Sequence, residues 1–187
     1  MENGAMEEVY LYEPKLLKEI DFSTVENKFK HGISPRNPGE NLILRPLSSG
    51  DFDRGFLQLL TQLTSVGEVS RAMFEDQFNN MKACKNTYYV TVIEDKETNA
   101  VIGAASLVCE EKFIHATGKR GRVEDVVVSS DYRGKQLGKV LVAALTFLGK
   151  HVGCYKMSLE CSDDMVPFYQ QLGYIREQNY MQQRFKN

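Results

Sequence analysis

Apolar residues recur along this chain with two periods, and the changes of period mark its elements. Leu137, Val140, Leu141, Ala144, Leu145 and Leu148 are spaced by three and four, as on one face of a helix. Phe52, Phe56, Leu59, Leu60 and Leu63 keep the same spacing. They predict a helix over residues 51–64, with Ser49 and Asp51 as candidate caps. Ser70 is the candidate cap of a second helix, with Met73, Phe74, Phe78 and Met81 on its apolar side. Residues 165–172 form a further short helix closed by Gly173.

Strand-like runs fill the intervals. Residues 42–46 end on a proline, and residues 88–93 and 101–110 flank the polar turn 95–99 as an antiparallel hairpin. Residues 122–128 carry Val126-Val127-Val128 without alternation, which predicts a central strand covered on both faces. Residues 155–160 follow Gly153 as another strand, and residues 174–185 form a last extended one. The order is strand, two helices, three strands, helix, strand, helix, strand. That is an α/β (α+β) mixed single sheet, antiparallel at first and with a βαβ crossover late.

Residues 1–40 read as an N-terminal arm, and residues 41–187 as one domain. Within the arm, residues 11–20 form either a short helix or a packed strap, and Gly32, Pro35, Pro38 and Gly39 break regular structure. At 187 residues the chain can bury a real core. A net charge of −2 excludes bulk nucleic-acid binding, so any affinity for anions must be local. No apolar run reaches the length of a membrane span. The acidic start (Glu2, Glu7, Glu8) is unlike a signal peptide, and the expected location is cytoplasmic, with peripheral membrane association left open. Cys84, Cys109, Cys154 and Cys161 and the scattered His31, His115 and His151 show no zinc-ligand spacing, so no metal is expected.

The candidate chemistry begins where the triple-valine strand yields to Arg133-Gly134-Lys135-Gln136-Leu137-Gly138 and then to the most regular helix. Such a junction aims backbone amides and the positive end of a helix dipole at one spot, and Arg133, Lys135 and Lys139 add charge. A diphosphate suits it. Neither the Walker spacing nor the dinucleotide Gly-x-Gly-x-x-Gly spacing is present.

This segment resembles the acetyl-CoA loop of the GNAT acetyltransferase superfamily, whose pattern is Arg/Gln-x-x-Gly-x-Gly/Ala. Arg133 and Gly138 match it, and Gln136 stands at the middle glycine. Lys112-Phe113-Ile114-His115, Gly121-Arg122-Val123-Glu124-Asp125-Val126, Leu159-Glu160-Cys161 and Asn179-Tyr180-Met181 narrow the resemblance to the branch acting on glucosamine 6-phosphate. The likeness runs from about residue 42 to 185.

The resemblance implies a GNAT acyl-CoA N-acyltransferase fold, with a mostly antiparallel central sheet flanked by helices. It implies acetyl-CoA as co-substrate, the 2-amino group of glucosamine 6-phosphate as acceptor, and a homodimer. Backbone groups of Val126, Val127 and Val128 would hold the pantetheine arm. Arg133, Gly134, Lys135, Gln136, Leu137, Gly138 and Lys139 would hold the diphosphate. Tyr169 would stand beside the coenzyme sulfur as a donor to the leaving thiolate. Glu160 would orient the sugar amine or take its proton, and which of the two is left open.

Thr64, Lys112, Phe113, Ile114, His115, Glu124, Asp125, Val126, Cys161 and Arg184 complete the implied acceptor side, with Arg120 a further candidate cation. Strand alternation sends Glu124 and Asp125 to opposite faces, so they form no close dyad. Cys161 next to Glu160 would suit an acetyl-enzyme, yet no histidine is placed by sequence to activate it, so direct attack in a ternary complex is expected. Two rivals stay open: a GNAT enzyme for a polyamine, protein N-terminus or lysine, and a non-catalytic CoA-binding protein.

Overall fold

Ser70 caps its helix as the spacing predicts, accepting the Met73 N–H through Oγ at 3.2 Å. The computed structural model describes residues 8–185; Glu2 and Glu7 of the acidic start lie outside them. The elements are α1 (Lys15–Glu19), α2 (Ser23–Glu26), β1 (Leu42–Pro46), α3 (Phe56–Leu60), α4 (Arg71–Ala83), β2 (Tyr88–Asp95), β3 (Ala100–Glu111), α5 (Ile114–Thr117), β4 (Lys119–Val128), α6 (Leu137–His151), β5 (Cys154–Ser158) and α7 (Val166–Gln170). Single 3-10 turns occupy Ser49–Phe52, Ser130–Tyr132 and Asp163–Met165.

The strands form one sheet in the order β1-β2-β3-β4-β5. All pairs are antiparallel except β4 with β5, which α6 joins by a parallel crossover. The predicted stripe of α6 is buried: Val140, Leu141, Ala144, Leu145 and Leu148 are wholly covered. They pack with Val92, Ile93 and Leu107 of the hairpin in one continuous core. Residues Leu11, Leu17, Ile20, Phe22 and Val25 join the same core. Along its described length the N-terminal segment is therefore strapped to the sheet, with helical turns at α1 and α2.

Several expectations are corrected. The helix expected over residues 51–64 is interrupted at Gly55, whose φ of +79° is left-handed and readily adopted only without a Cβ. A 3-10 turn precedes the break and α3 follows it, ending at Leu60, so Leu63 is left exposed. Ser48, rather than Ser49 or Asp51, caps the 3-10 turn, with its own N–H donating to Asp51 Oδ2 at 2.8 Å. Met73 is off the apolar face of α4 and exposed, while Phe74 and Phe78 are buried.

Two further corrections bear on the site. The valine run is not covered on both faces, since Val127 is buried but Val126 and Val128 are only half-buried. Residues 174–185 form no strand, and Ile175, Tyr180, Met181 and Phe185 are exposed.

Met157 of β5 fills the narrow space between sheet and helix. A Cβ on Gly121 of β4 would overlap its Sδ and meet Leu107 Cδ1 at 3.0 Å; a Cβ on Gly149 of α6 would overlap the same sulfur. Gly121→Val is therefore expected to destabilise the protein by about 1–3 kcal/mol through overpacking. Chemical denaturation would measure it, and an unchanged midpoint would refute so tight a fit.

Candidate active site

β4 and β5 pair only from Lys119↔Cys154 to Arg122↔Ser158. Past Arg122 the strands part, and residues 123–128 present an edge to which no strand is bonded among the described residues. A bulge accompanies the parting. The register with β3 shifts between Ala104 and Ser106, and Asp125 adopts a φ of +53°. The bulge interrupts the regular pleat at Asp125. Glu124 is half-buried and Asp125 points to solvent.

The open edge leads into the Gly/Lys/Arg loop, which is pinned from several sides. Tyr132 hydroxyl donates to Asp95 Oδ2 at 2.5 Å, Ser130 N–H to Gln62 Oε1 at 2.9 Å, and Ser129 N–H to Ile102 O at 2.8 Å. The Tyr132 bond first, and the Glu97 and Thr98 amides after it, hold the Asp95 carboxyl below its ordinary value. Gly134 and Gln136 are both left-handed, with φ of +79° and +64°. The first bond of α6 runs from Val140 N–H to Gln136 O at 3.0 Å. Among the described residues the amides of residues 134–139 meet no acceptor, so they form a row of free donors at the positive end of a long helix. A Cβ on Gly138 would make only ordinary contacts, with Phe168 Cζ at 3.8 Å and Val128 Cγ2 at 3.9 Å, so α7 packs close to the start of α6 without crowding it.

Beside the parting, Arg122 binds two carboxylates. Its Nη2 donates to Glu160 Oε2 at 2.5 Å, and its Nε lies 2.5 Å from Glu124 Oε1, though that N–H is not directed along a hydrogen bond. Burial pushes the Glu124 carboxyl above its ordinary value, and the Glu160 and Asp125 charges add to the push against the opposing pull of Arg122. Arg122 was not singled out as a site residue from the sequence. Its signal was there, because residues two apart in a strand share a face and Arg122 precedes Glu124 by two. β5 ends at Ser158, shorter than expected, so Glu160 sits beyond it on the loop that turns towards α7.

Tyr169 is half-buried on α7, its ring centroid 5.0 Å from that of Phe168 and 6.1 Å from that of Tyr174. Burial raises its phenol above the ordinary value, as does the neighbouring Cys161. The Cys161 thiol is itself raised, by burial and then by Asp163 and Asp164. A cleft of about 990 Å³ lies between β5, α7 and the tail, lined by Glu160, Cys161, Tyr169 and Tyr174 among others.

The candidate phosphate ligands are not all gathered in one place. Lys112 pairs with Glu110, His115 stacks on Tyr155 at 4.3 Å between centroids, and Arg120 donates to Ser158 Oγ from Nε and Nη2 at 3.2 and 3.0 Å. These sit at the Glu111–Lys119 end of the β3–β4 pair. Phe113 and Ile114 are exposed there, on a turn whose His115, Ala116 and Thr117 are all left-handed. Thr64 lies at the other end, four residues after Leu60 and near the Gln62–Ser130 contact. Arg184 lies in the exposed tail. No three His, Cys, Asp or Glu side chains converge to hold a metal among the described residues, and none of the described helices is long and apolar enough to cross a membrane.

A donor-rich loop at the end of a parted strand pair, with a carboxylate and a tyrosine alongside, defines a class. Residues 55–174 match the acetyltransferase (GNAT) family model, and the chain belongs to that family. The chain is 55% identical over 170 residues to a probable glucosamine 6-phosphate N-acetyltransferase of Drosophila melanogaster, covering 90% of this chain and 77% of that protein. It is 38% identical over 138 residues to glucosamine 6-phosphate N-acetyltransferase 1 of Dictyostelium discoideum, covering 74% and 87%. The crystal structure of glucosamine-6-phosphate N-acetyltransferase from Arabidopsis thaliana superposes with a TM-score of 0.77 at 36% identity, over 79% of this chain and all of that one.

Proposed function

We propose that this protein transfers the acetyl group of acetyl-CoA to the 2-amino group of glucosamine 6-phosphate, releasing CoA and the N-acetyl sugar phosphate. One observation carries the reading: the open edge of β4 runs from a row of free amides to the Arg122-held carboxylates. The free amides of residues 134–139 take the diphosphate, and Arg133, Lys135 and Lys139 offset its charge. The pantetheine arm extends along Val126, Val127 and Val128 as a strand would, which brings the thioester beside Glu160 and Tyr169. The activity for which the similar proteins are named supports the choice of acceptor.

The amine attacks the thioester carbonyl directly. Glu160 orients the amine and accepts its proton. A strand amide of β4 donates to the oxyanion, and Tyr169 donates to the departing thiolate. The raised Cys161 thiol is the opposite of an activated nucleophile, which speaks for a ternary complex. The scattered phosphate cations support a homodimer, in which the turn bearing Lys112, Phe113, Ile114 and His115, together with Arg184 of the tail, completes the partner's acceptor site. The protein works in the cytoplasm in this reading, in keeping with its unpaired thiols.

A thiol-release assay with acetyl-CoA over glucosamine, glucosamine 6-phosphate, a polyamine and a lysine peptide tests donor and acceptor together. Turnover is expected with the sugar phosphate, and preference for the peptide or polyamine would overturn the acceptor. CoA binding without turnover of any amine would mark a non-catalytic protein. Tyr169→Phe is expected to lower kcat roughly tenfold, the size of a lost hydrogen bond to a charged group at a half-buried site. An unchanged kcat in steady-state assays would remove Tyr169 from the chemistry.

A further inference from the structure

The N-terminal strap reaches the coenzyme loop and adds cations to it. Gln136 stands where the family pattern has glycine, and its φ of +64° is a region that carries a strain of order 1 kcal/mol for a residue with a Cβ. Its side chain shows what the glutamine is for. Gln136 Oε1 accepts the Lys30 N–H at 3.1 Å, and Gln136 Nε2 donates to Lys30 O at 3.1 Å. The amide thus pairs with the strap backbone as a neighbouring strand would. Three residues on, Lys139 Nζ donates to Lys28 O and stands 5.4 Å over the Phe29 ring.

These contacts hold Lys28 and Lys30, both exposed, against the first turn of α6. Among the described residues neither they nor Arg133, Lys135 and Lys139 enter an ion pair. The crowding is felt: burial first, then the charges of Lys28 and Lys30, push the Lys139 ammonium below its ordinary value. In a chain of net charge −2, cations gathered here with no ion-pair partner among the described residues call for an anionic ligand. CoA carries more than the diphosphate that the loop amides suit. Its ribose bears a separate 3′-phosphate, displaced from the diphosphate by the sugar, and it needs cations beside the loop and not within it.

We propose that Lys28 and Lys30 bind the 3′-phosphate of CoA, with Gln136 as the positioning residue that fastens their segment to the loop. The proposal rests on the coenzyme site described above and extends it to a segment outside the matched family region, which begins at residue 55.

Calorimetric titration of the full-length protein with CoA and with 3′-dephospho-CoA tests it. The wild type is expected to bind CoA roughly tenfold more tightly than the dephospho form, a modest charge-assisted gain at an exposed site. The Lys28→Ala/Lys30→Ala double variant loses that preference while binding dephospho-CoA as the wild type does. Gln136→Gly, which relieves the strained backbone and keeps the loop, loses it as well. A merely structural role for Gln136 would weaken both ligands alike. Equal weakening of both ligands in the lysine variant, or weakening of neither, would overturn the proposal. Failure of the wild type to bind either form would instead overturn the coenzyme site itself.

Discussion

Glu160→Gln is expected to lower kcat by about 10²-fold or more, the usual contribution of a positioned acid–base group, with little change in the affinity for acetyl-CoA. Arg122→Met should cost a similar factor for a different reason. Arg122 is the group that holds Glu160 in place, and a misplacement of about 1 Å near the reacting atoms can cost on the order of 10² in rate. Without the guanidinium, Glu124 and Glu160 would face each other uncompensated. Glu124 is already raised by burial and by Glu160, and removing Arg122 takes away the charge that opposes that rise. A carboxylate that works deprotonated then needs a higher pH, so the acid limb of the pH–rate profile moves to higher pH in Arg122→Met. A profile whose acid limb stays in place would show that Arg122 does not tune these carboxylates. Arg122→Lys keeps the charge but not the fork that reaches two acceptors, and should fall between the two.

The second large effect concerns stability. Arg45 of β1 is buried and donates to Asp51 from Nη1 and Nη2 at 2.8 and 2.7 Å, and to Glu94 from Nε at 2.5 Å. Asp51 is wholly covered, and it also accepts the Ser48 N–H and an Arg54 N–H. Asp51→Ala leaves the guanidinium buried with its main partner gone, and breaking such a pair costs about 3–5 kcal/mol. Burial pushes the Asp51 carboxyl upward, but the hydrogen bonds and charge of Arg45, with Ser48 and Arg54, outweigh it and hold the group below its ordinary value. The sign follows: a carboxyl depressed in the folded state stabilises it above the unfolded carboxyl's pKa of about 4, and that contribution is lost as pH falls through the folded value. The wild type should therefore lose stability on acidification below about pH 4 more steeply than Asp51→Ala. Parallel urea midpoints between pH 3 and pH 6 would show whether it does. Identical slopes would mean that Asp51 titrates alike in the folded and unfolded chains.

Much of this was legible in the chain. The stripe of α6, the hairpin around residues 95–99 and the loop after Val128 are local signals, set by periodicity and turn residues, and they stand as read. What escaped depended on tertiary geometry. Gly55 looks like a tolerated glycine inside a helical pattern, yet its left-handed backbone divides the element. The bulge at Asp125 interrupts the pleat of β4, and nothing in Glu-Asp-Val announces an extra residue. The residues after Gly173 are apolar enough for a strand, but a strand needs a partner, and none is bonded to them here. Within the candidate site, Glu160 and Tyr169 were singled out by resemblance. Arg122, which joins Glu160 to Glu124, became visible only when β5 brought its loop beside β4.

The polar network around Arg45 joins β1 to β2, and the one around Arg122 joins β4 to the loop after β5, with β3 between them. Substitutions at such separated sites act nearly independently. An engineer seeking greater heat tolerance can therefore rework the first network, through Ser48, Asp51 and Arg54, and leave turnover at the second untouched.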